Sequence, residues 1–202
     1  MSEELSQVEH AIADFLFSGQ CESAAVLTLR SYGPEILGFL IGQLRDDQLA
    51  DEVFSMFVED LWRSLSGLTL RTSMRAYAYA LARNAKHRFL SRELRKRRAA
   101  RPLSQVAELA QLVAQVRTET APYLATENKS KLQELRDRLT EEEQTLLTLR
   151  IDRGLEWREI AEVLEPAGEL ARSAAKLRKR FQLVKDKLAA WAREEGLLGV
   201  SE

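Results

Sequence analysis

Apolar residues recur along this chain at steps of three and four, and no segment sustains the period-two alternation of a strand. The pattern predicts an all-α fold. Two short helices are expected over residues 7–18 and 22–31. Gly33-Pro34 then interrupts the pattern, and Pro34 opens a helix over 35–45, because a first-turn residue has no use for the N–H that proline lacks. Ile36, Leu37, Phe39, Leu40, Ile41 and Leu44 surround that helix, which predicts burial on all sides. The next helix covers 48–65. Leu49, Val53, Phe54, Phe57, Val58, Leu61 and Leu65 form its apolar stripe, and Ser66-Gly67 ends it. Ser73 caps a long helix running to about 98, with Tyr77, Leu81, Ala85 and Phe89 on its inner face.

The pattern changes at Pro102. Residues 101–130 hold Pro122, several small polar residues and one amphipathic run at 104–117, which predicts a linker with a helical piece. It divides the chain into two small helical domains, 7–100 and 131–196. Within the second, Thr140 and Glu143 are spaced as a capping box, in which hydroxyl and carboxylate satisfy free backbone N–H groups reciprocally. Gly154 stands where a helix end needs a left-handed residue. Trp157, Ile160, Ala161 and Leu164 then mark the apolar face of a further helix. A turn carrying Pro166 and Gly168 and a basic helix near 174–190 complete a helix-turn-helix, the unit whose second helix enters the DNA major groove. The turn, read as 165–175, is longer than the tight form of that unit.

Charge sharpens this picture through its segregation, since the formal net charge is only −1. Lys86, Arg88, Arg92, Arg95, Lys96, Arg97, Arg98 and Arg101 stand against Glu93 alone, and Arg172, Lys176, Arg178, Lys179, Arg180, Lys185 and Lys187 against Asp186 alone. Two basic helices on one chain predict contact with DNA in two places. Cationic faces neutralise phosphates, and specificity falls to groups that reach bases. In the first basic helix these are Asn84, which pairs with a base edge, and His87, Tyr77 and Tyr79, which stack. The alternative for Tyr77 and Tyr79 is a place in the core. In the second, Leu177, Phe181, Val184 and Leu188 pack inward, leaving Lys176, Arg178, Lys179, Arg180 and Gln182 for DNA. The helix over 48–65 differs. Asp51, Glu52, Glu59 and Asp60 flank an apolar stripe with Met56 and Phe57, which suits a basic protein partner better than DNA.

Other chemistries find no support. His10 and His87 have no nucleophile or metal partner at useful spacing, and there is no glycine-rich phosphate loop. No catalytic residue, metal, cofactor or small-molecule substrate is expected, and the chain is not expected to be an enzyme. Cys21 is alone, so no disulfide forms within the chain. The start MSEELSQVEH lacks the pattern of a signal peptide, and no stretch approaches the roughly 18–20 apolar residues of a membrane span. A cytoplasmic protein is the expectation.

Taken in order, these segments resemble a bacterial RNA polymerase sigma factor of the extracytoplasmic-function (ECF) group. LADEVFSMFVEDLW at 49–62 resembles that family's helix for binding core polymerase. RTSMRAYAYALARNAKHRFLSRELRKRR at 71–98 resembles its helix for melting and reading the −10 element. LRDRLTEEEQTLLTLRIDRGLEWREIAEVL at 135–164 and LRKRFQLVKDKL at 177–188 resemble its −35-reading helix-turn-helix domain. The resemblance implies core RNA polymerase and promoter DNA as partners, with an anti-sigma factor or a kinase as regulators. It assigns Tyr77, Asn84, Lys86, His87, Arg88 and Arg92 to the −10 element and Lys176, Arg178, Lys179, Arg180 and Gln182 to the −35 element. Asp51, Glu52, Ser55, Met56 and Glu59 fall to core polymerase, the loop at 66–73 to a pocket for an extruded base, and the linker to the RNA exit path. The family carries Gln-Glu where this chain has Ser55-Met56. Phosphorylation of Ser55 would restore the missing negative charge there. The alternative is a stand-alone helix-turn-helix regulator with an N-terminal helical sensor or dimerisation domain; a helical adaptor with no DNA role is a third reading.

Overall fold

A computed structural model describes residues 2–96 and 131–197, with side chains over 3–91 and 133–197. The expected linker over 101–130, its helix at 104–117 and the Arg95–Arg98 side chains lie outside the described residues. Every regular element among the described residues is helical. The chain divides into two compact units, Met1–Ala125 and Thr126–Glu202.

The first unit carries α1 (Ser2–Phe17), α2 (Cys21–Leu44), α3 (Asp47–Ser64) and α4 (Met74–Lys96). Helix α2 is the main correction to the sequence reading. The two helices expected at 22–31 and 35–45 are one, with Pro34 inside it. A proline in a helix interior costs about 3 kcal/mol. Burial on both sides of Pro34 offsets it: Ala24, Ala25 and Leu29 before it and Ile36, Leu37, Phe39 and Leu40 after it are core residues. Each large apolar side chain so buried contributes about 1.5–3 kcal/mol, so two of them suffice. The merged helix is long and apolar enough to cross a membrane by length and composition, contrary to the expectation that no segment approaches this. Packing against α1, α3 and α4 accounts for its apolarity.

Helix α2 ends on Arg45, whose φ of 54° is left-handed without a glycine, and Asp46 at once caps α3 by accepting from the N–H groups of Gln48 and Leu49. Ala50, Val53, Phe54, Phe57, Val58 and Leu61 form the buried stripe of α3, close to expectation. Ser73 accepts from the N–H of Ala76 at the start of α4, as its cap position predicts. The buried line of α4 is Met74, Ala78, Ala82, Ala85 and Phe89. Tyr77 and Leu81 are half-buried beside it, while Tyr79 is core, its ring edge-on to Phe39 with centroids 5.2 Å apart.

The second unit carries α5 (Lys131–Asp137), α6 (Glu141–Leu147), α7 (Trp157–Leu164) and α8 (Leu170–Glu194). Thr140 and Glu143 form the expected capping box on α6. A π-helical turn at Thr148–Asp152 widens the end of α6, and Gly154 follows with φ 67°, the left-handed residue its position predicts. Ile160, Ala161 and Val163 of α7 meet Ala174, Leu177, Phe181 and Val184 of α8 in the core. The sequence reading began α8 too late. Residues 170–175 are its first turns, so the turn between α7 and α8 is short, at 165–169. Glu169 makes this possible. Its carboxylate accepts from the N–H groups of Ala171 and Arg172, both at 2.9 Å, and these bonds hold it below the usual glutamate range.

Candidate nucleic-acid interface

Helix α4 is fixed at its N-terminus by acids of α1 and α2. The Glu9 carboxylate accepts from the N–H groups of Met74 (2.7 Å) and Arg75 (3.0 Å), satisfying donors that a helix start leaves free. It also accepts from the Tyr32 hydroxyl at 2.6 Å. Burial, then this bond and the Glu9 charge, push the Tyr32 phenol up and keep it protonated. Arg75 grips Glu35 through two parallel bonds of 2.7 and 2.8 Å, the strong bidentate form of an ion pair. Sequence reading missed Glu9, Tyr32, Glu35 and Arg75, because their shared role comes from three helices meeting. An acid near a later helix start carries no local signal.

The α4 residues expected at DNA do not form one set. Asn84 and His87 are exposed and Tyr77 is half-buried. Tyr77, Asn84 and Arg88 follow one another at seven and four residues, which places them along one side of the helix. Arg88 is already in an ion pair with Asp60 of α3. Lys86 departs from its expected place. It is only 2% exposed, and its ammonium donates to Gln43 Oε1 of α2 at 2.9 Å. It lies inward because it follows Ala82 by four residues, on the buried side, so it belongs to the core packing and not to the exposed cationic face. The Arg92 side chain lies outside the described residues.

The outward side of α3 carries Gln48, Glu52, Ser55, Glu59 and Trp62 at steps of three and four. Glu52 is exposed; Asp51, Ser55, Met56 and Glu59 are half-buried. The Ser55 hydroxyl donates to the Asp51 carbonyl at 3.0 Å, and Glu59 pairs with Arg63. Trp62, 41% exposed, adds a large apolar group to this acidic face that the sequence reading had not assigned.

On α8, most of the expected contact residues are engaged within their own unit. Lys176 reaches back to Glu165 at 2.6 Å, and this bond, against burial and with help from Ser173, holds Glu165 low. Arg180 pairs with Glu142 at 2.6 Å, and Lys187 with Glu143 at 2.6 Å. Gln182 donates to Asp186 at 2.8 Å. The Arg178 guanidinium lies 5.9 Å from the Trp157 ring, which also carries Arg150 at 4.9 Å. Lys179 is exposed and, among the described residues, in no ion pair. Arg172 joins it. It occupies the third position of the helix, exposed and, among the described residues, also outside any ion pair. Sequence reading left Arg172 out of the site because it placed the helix start four residues late; the signal was Glu169, an acceptor able to cap residues two and three positions on.

Among the described residues there is no group of three or more His, Cys, Asp or Glu side chains able to hold a metal ion. No protein-family model matches the chain, and no curated protein matches it.

Proposed function

We propose that this chain is an ECF-type sigma factor, a cytoplasmic protein that binds core RNA polymerase and directs it to promoters. The observation that carries the reading is the α7–turn–α8 unit: a short capped turn, then a long helix on which Arg172, Arg178 and Lys179 are exposed and Lys176, also exposed, is paired with Glu165. It is read as a helix-turn-helix with α8 in the major groove of the −35 element. The first unit supports the same reading from a second direction. Helix α4 offers Tyr77, Asn84 and His87 to a melted −10 strand, while α3 offers an acidic face to a basic protein surface. In this assignment Asp51, Glu52, Ser55, Met56 and Glu59 bind core polymerase, joined by Trp62, and Lys86 drops out of the DNA contacts. The chain makes and breaks no bond; it supplies sequence selection and opens the duplex for the polymerase. An anti-sigma factor or a kinase acting at Ser55 would regulate it.

The test is co-elution of the purified chain with bacterial core RNA polymerase on a sizing column, followed by run-off transcription from a promoter library. The expected result is a stable complex that initiates from a defined promoter class. A chain that stays apart from core polymerase yet binds a duplex palindrome alone would instead be the stand-alone regulator.

A further inference from the structure

Helix α8 carries a large apolar side chain where a purely phosphate-binding face would carry none. Leu183 is 62% exposed. Surface leucines are common singly; what distinguishes this one is its line. Arg172, Lys179 and Leu183 follow at seven and four residues, opposite the buried Leu177, Phe181 and Val184. The polar neighbours on either flank are drawn aside. Lys176 is held by Glu165, Arg180 by Glu142, Gln182 by Asp186, and Lys187 by Glu143. Arg172, Lys179 and Leu183 therefore stand on the outward ridge of the helix, followed three residues on by the exposed Asp186, whose carboxylate accepts from the Gln182 amide.

We propose that Leu183 is a specificity-determining residue that reads the 5-methyl group of a thymine in the major groove, with Lys179 and Arg172 fixing the helix there. The proposal rests on the reading of α8 as a major-groove helix and deepens it by naming the base feature recognised. Thymine alone among the four bases presents a methyl group in that groove, and an apolar side chain is its chemical complement. The helical rise places Leu183 about 6 Å beyond Lys179, under two base-pair steps, so one residue reaches a backbone or guanine acceptor while the other meets a nearby base. A cationic side chain at 183 would add another phosphate contact; leucine there gives up that affinity for discrimination.

The experiment is a cycle between a protein group and a DNA group. The holoenzyme formed by the full chain and core RNA polymerase first selects its promoter from a random-sequence library. Each thymine of the −35 element is then replaced by deoxyuridine, which removes only the methyl group, and affinity is compared for the native chain and Leu183→Ala. Losing one buried methyl corresponds to roughly a fourfold fall in affinity. The expected result is one thymine whose replacement costs the native holoenzyme roughly fourfold and costs the Leu183→Ala holoenzyme nothing. A deoxyuridine effect at no position, or one that persists unchanged in Leu183→Ala, overturns the assignment of Leu183 while the selected promoter keeps the sigma reading standing. A holoenzyme that selects no sequence overturns both. Because Leu183 is largely exposed, Leu183→Ala keeps the fold, and a Leu183→Met variant, which retains an apolar tip, should keep most of the methyl preference.

Discussion

Glu143 gives the sharpest stability test of the second unit, because one carboxylate serves two purposes that substitution can separate. Its Oε2 accepts from the Thr140 N–H at 3.1 Å, closing the capping box of α6, and its Oε1 takes the Lys187 ammonium at 2.6 Å, tying α6 to α8. The Glu143 side chain is 11% exposed and that of Lys187 49%. Water therefore resolvates the lysine when the pair is broken, and the cost is well below that of a fully buried pair. Glu143→Ala keeps the Thr140 hydroxyl on its own N–H but loses the reciprocal bond to the Thr140 N–H, about 1 kcal/mol, and the charge-assisted bond to Lys187, about another 1 kcal/mol. Glu143→Gln keeps an acceptor for Thr140 and loses only the charge, so about half the effect should remain. The pH dependence follows from the direction of the shift. Burial pushes the Glu143 carboxyl up, but the bonds from Lys187 and Thr140 outweigh it, and the net shift is below the ordinary value of 4.5. A folded value below the unfolded one contributes stability above the unfolded value and loses it as pH falls through the folded one. Urea unfolding of the full chain reads this out by tryptophan fluorescence in a Trp62→Phe background, which leaves Trp157 and Trp191 of the second unit. The gap between native chain and Glu143→Gln should be full at neutral pH and shrink below the ordinary glutamate value. Equal loss in Ala and Gln variants, or a gap unchanged in acid, would refute the division into cap and charge.

Three further outcomes are expected. A Cβ at Gly168 would stand 2.4 Å from Ser173 Oγ and 3.2 Å from the Glu165 carbonyl, so Gly168→Ala should destabilise by about 1–2 kcal/mol, with Ser173→Ala restoring much of it in the same urea assay. Pro34→Ala gives α2 back an interior hydrogen bond and should raise the midpoint for the first unit by an amount equivalent to about 1–3 kcal/mol; a fall would show that the proline geometry itself is needed for packing. Ser55→Glu places a carboxylate on the outward side of α3 and should tighten co-elution with core polymerase by about fivefold, or about 1 kcal/mol; no tightening would count against phosphorylation control.

Local signals in the sequence proved readable where one element decides them. The Thr140–Glu143 box, the Ser73 cap and left-handed Gly154 each depend on a few neighbouring residues, and each stands as its spacing predicts. The misreadings came where packing between helices overrides such signals. Gly33-Pro34 is a strong breaker, yet apolar burial on both sides carries α2 through it. The real break, at Arg45, carries no glycine to announce it. On α4 the expected inner face holds at Ala85 and Phe89, but Tyr77 and Leu81 are half-buried and the buried line runs instead through Ala78 and Ala82, whose small side chains let neighbouring helices approach. Lys86 falls on that side through helical spacing, and Gln43 on another helix gives its ammonium an acceptor there.

The same distinction changes what a basic run means on α8. Counted along the sequence, residues 172–187 offer seven cations, and seven phosphate contacts would give a slope of log affinity against log salt of about −6. Three of the seven, Lys176, Arg180 and Lys187, already face carboxylates at 2.6 Å. Moving such a cation to a phosphate exchanges one anion for another and exposes a glutamate, so it releases little net counterion charge. Arg172, Arg178, Lys179 and Lys185 remain, and the contribution of this helix to the slope should be nearer −4. On the proposed sigma reading, variants make the comparison independent of every other contact a holoenzyme would make. Lys179→Ala should make the slope less steep by about 1, whereas Lys187→Ala should leave it nearly unchanged. Equal changes for the two would show that the carboxylates release their cations on binding, and that the linear count of basic residues was the right one. Unequal changes would mean that Glu142, Glu143 and Glu165 set how many phosphates this helix can hold, which is how a chain with a net charge of −1 presents a cationic face of limited strength.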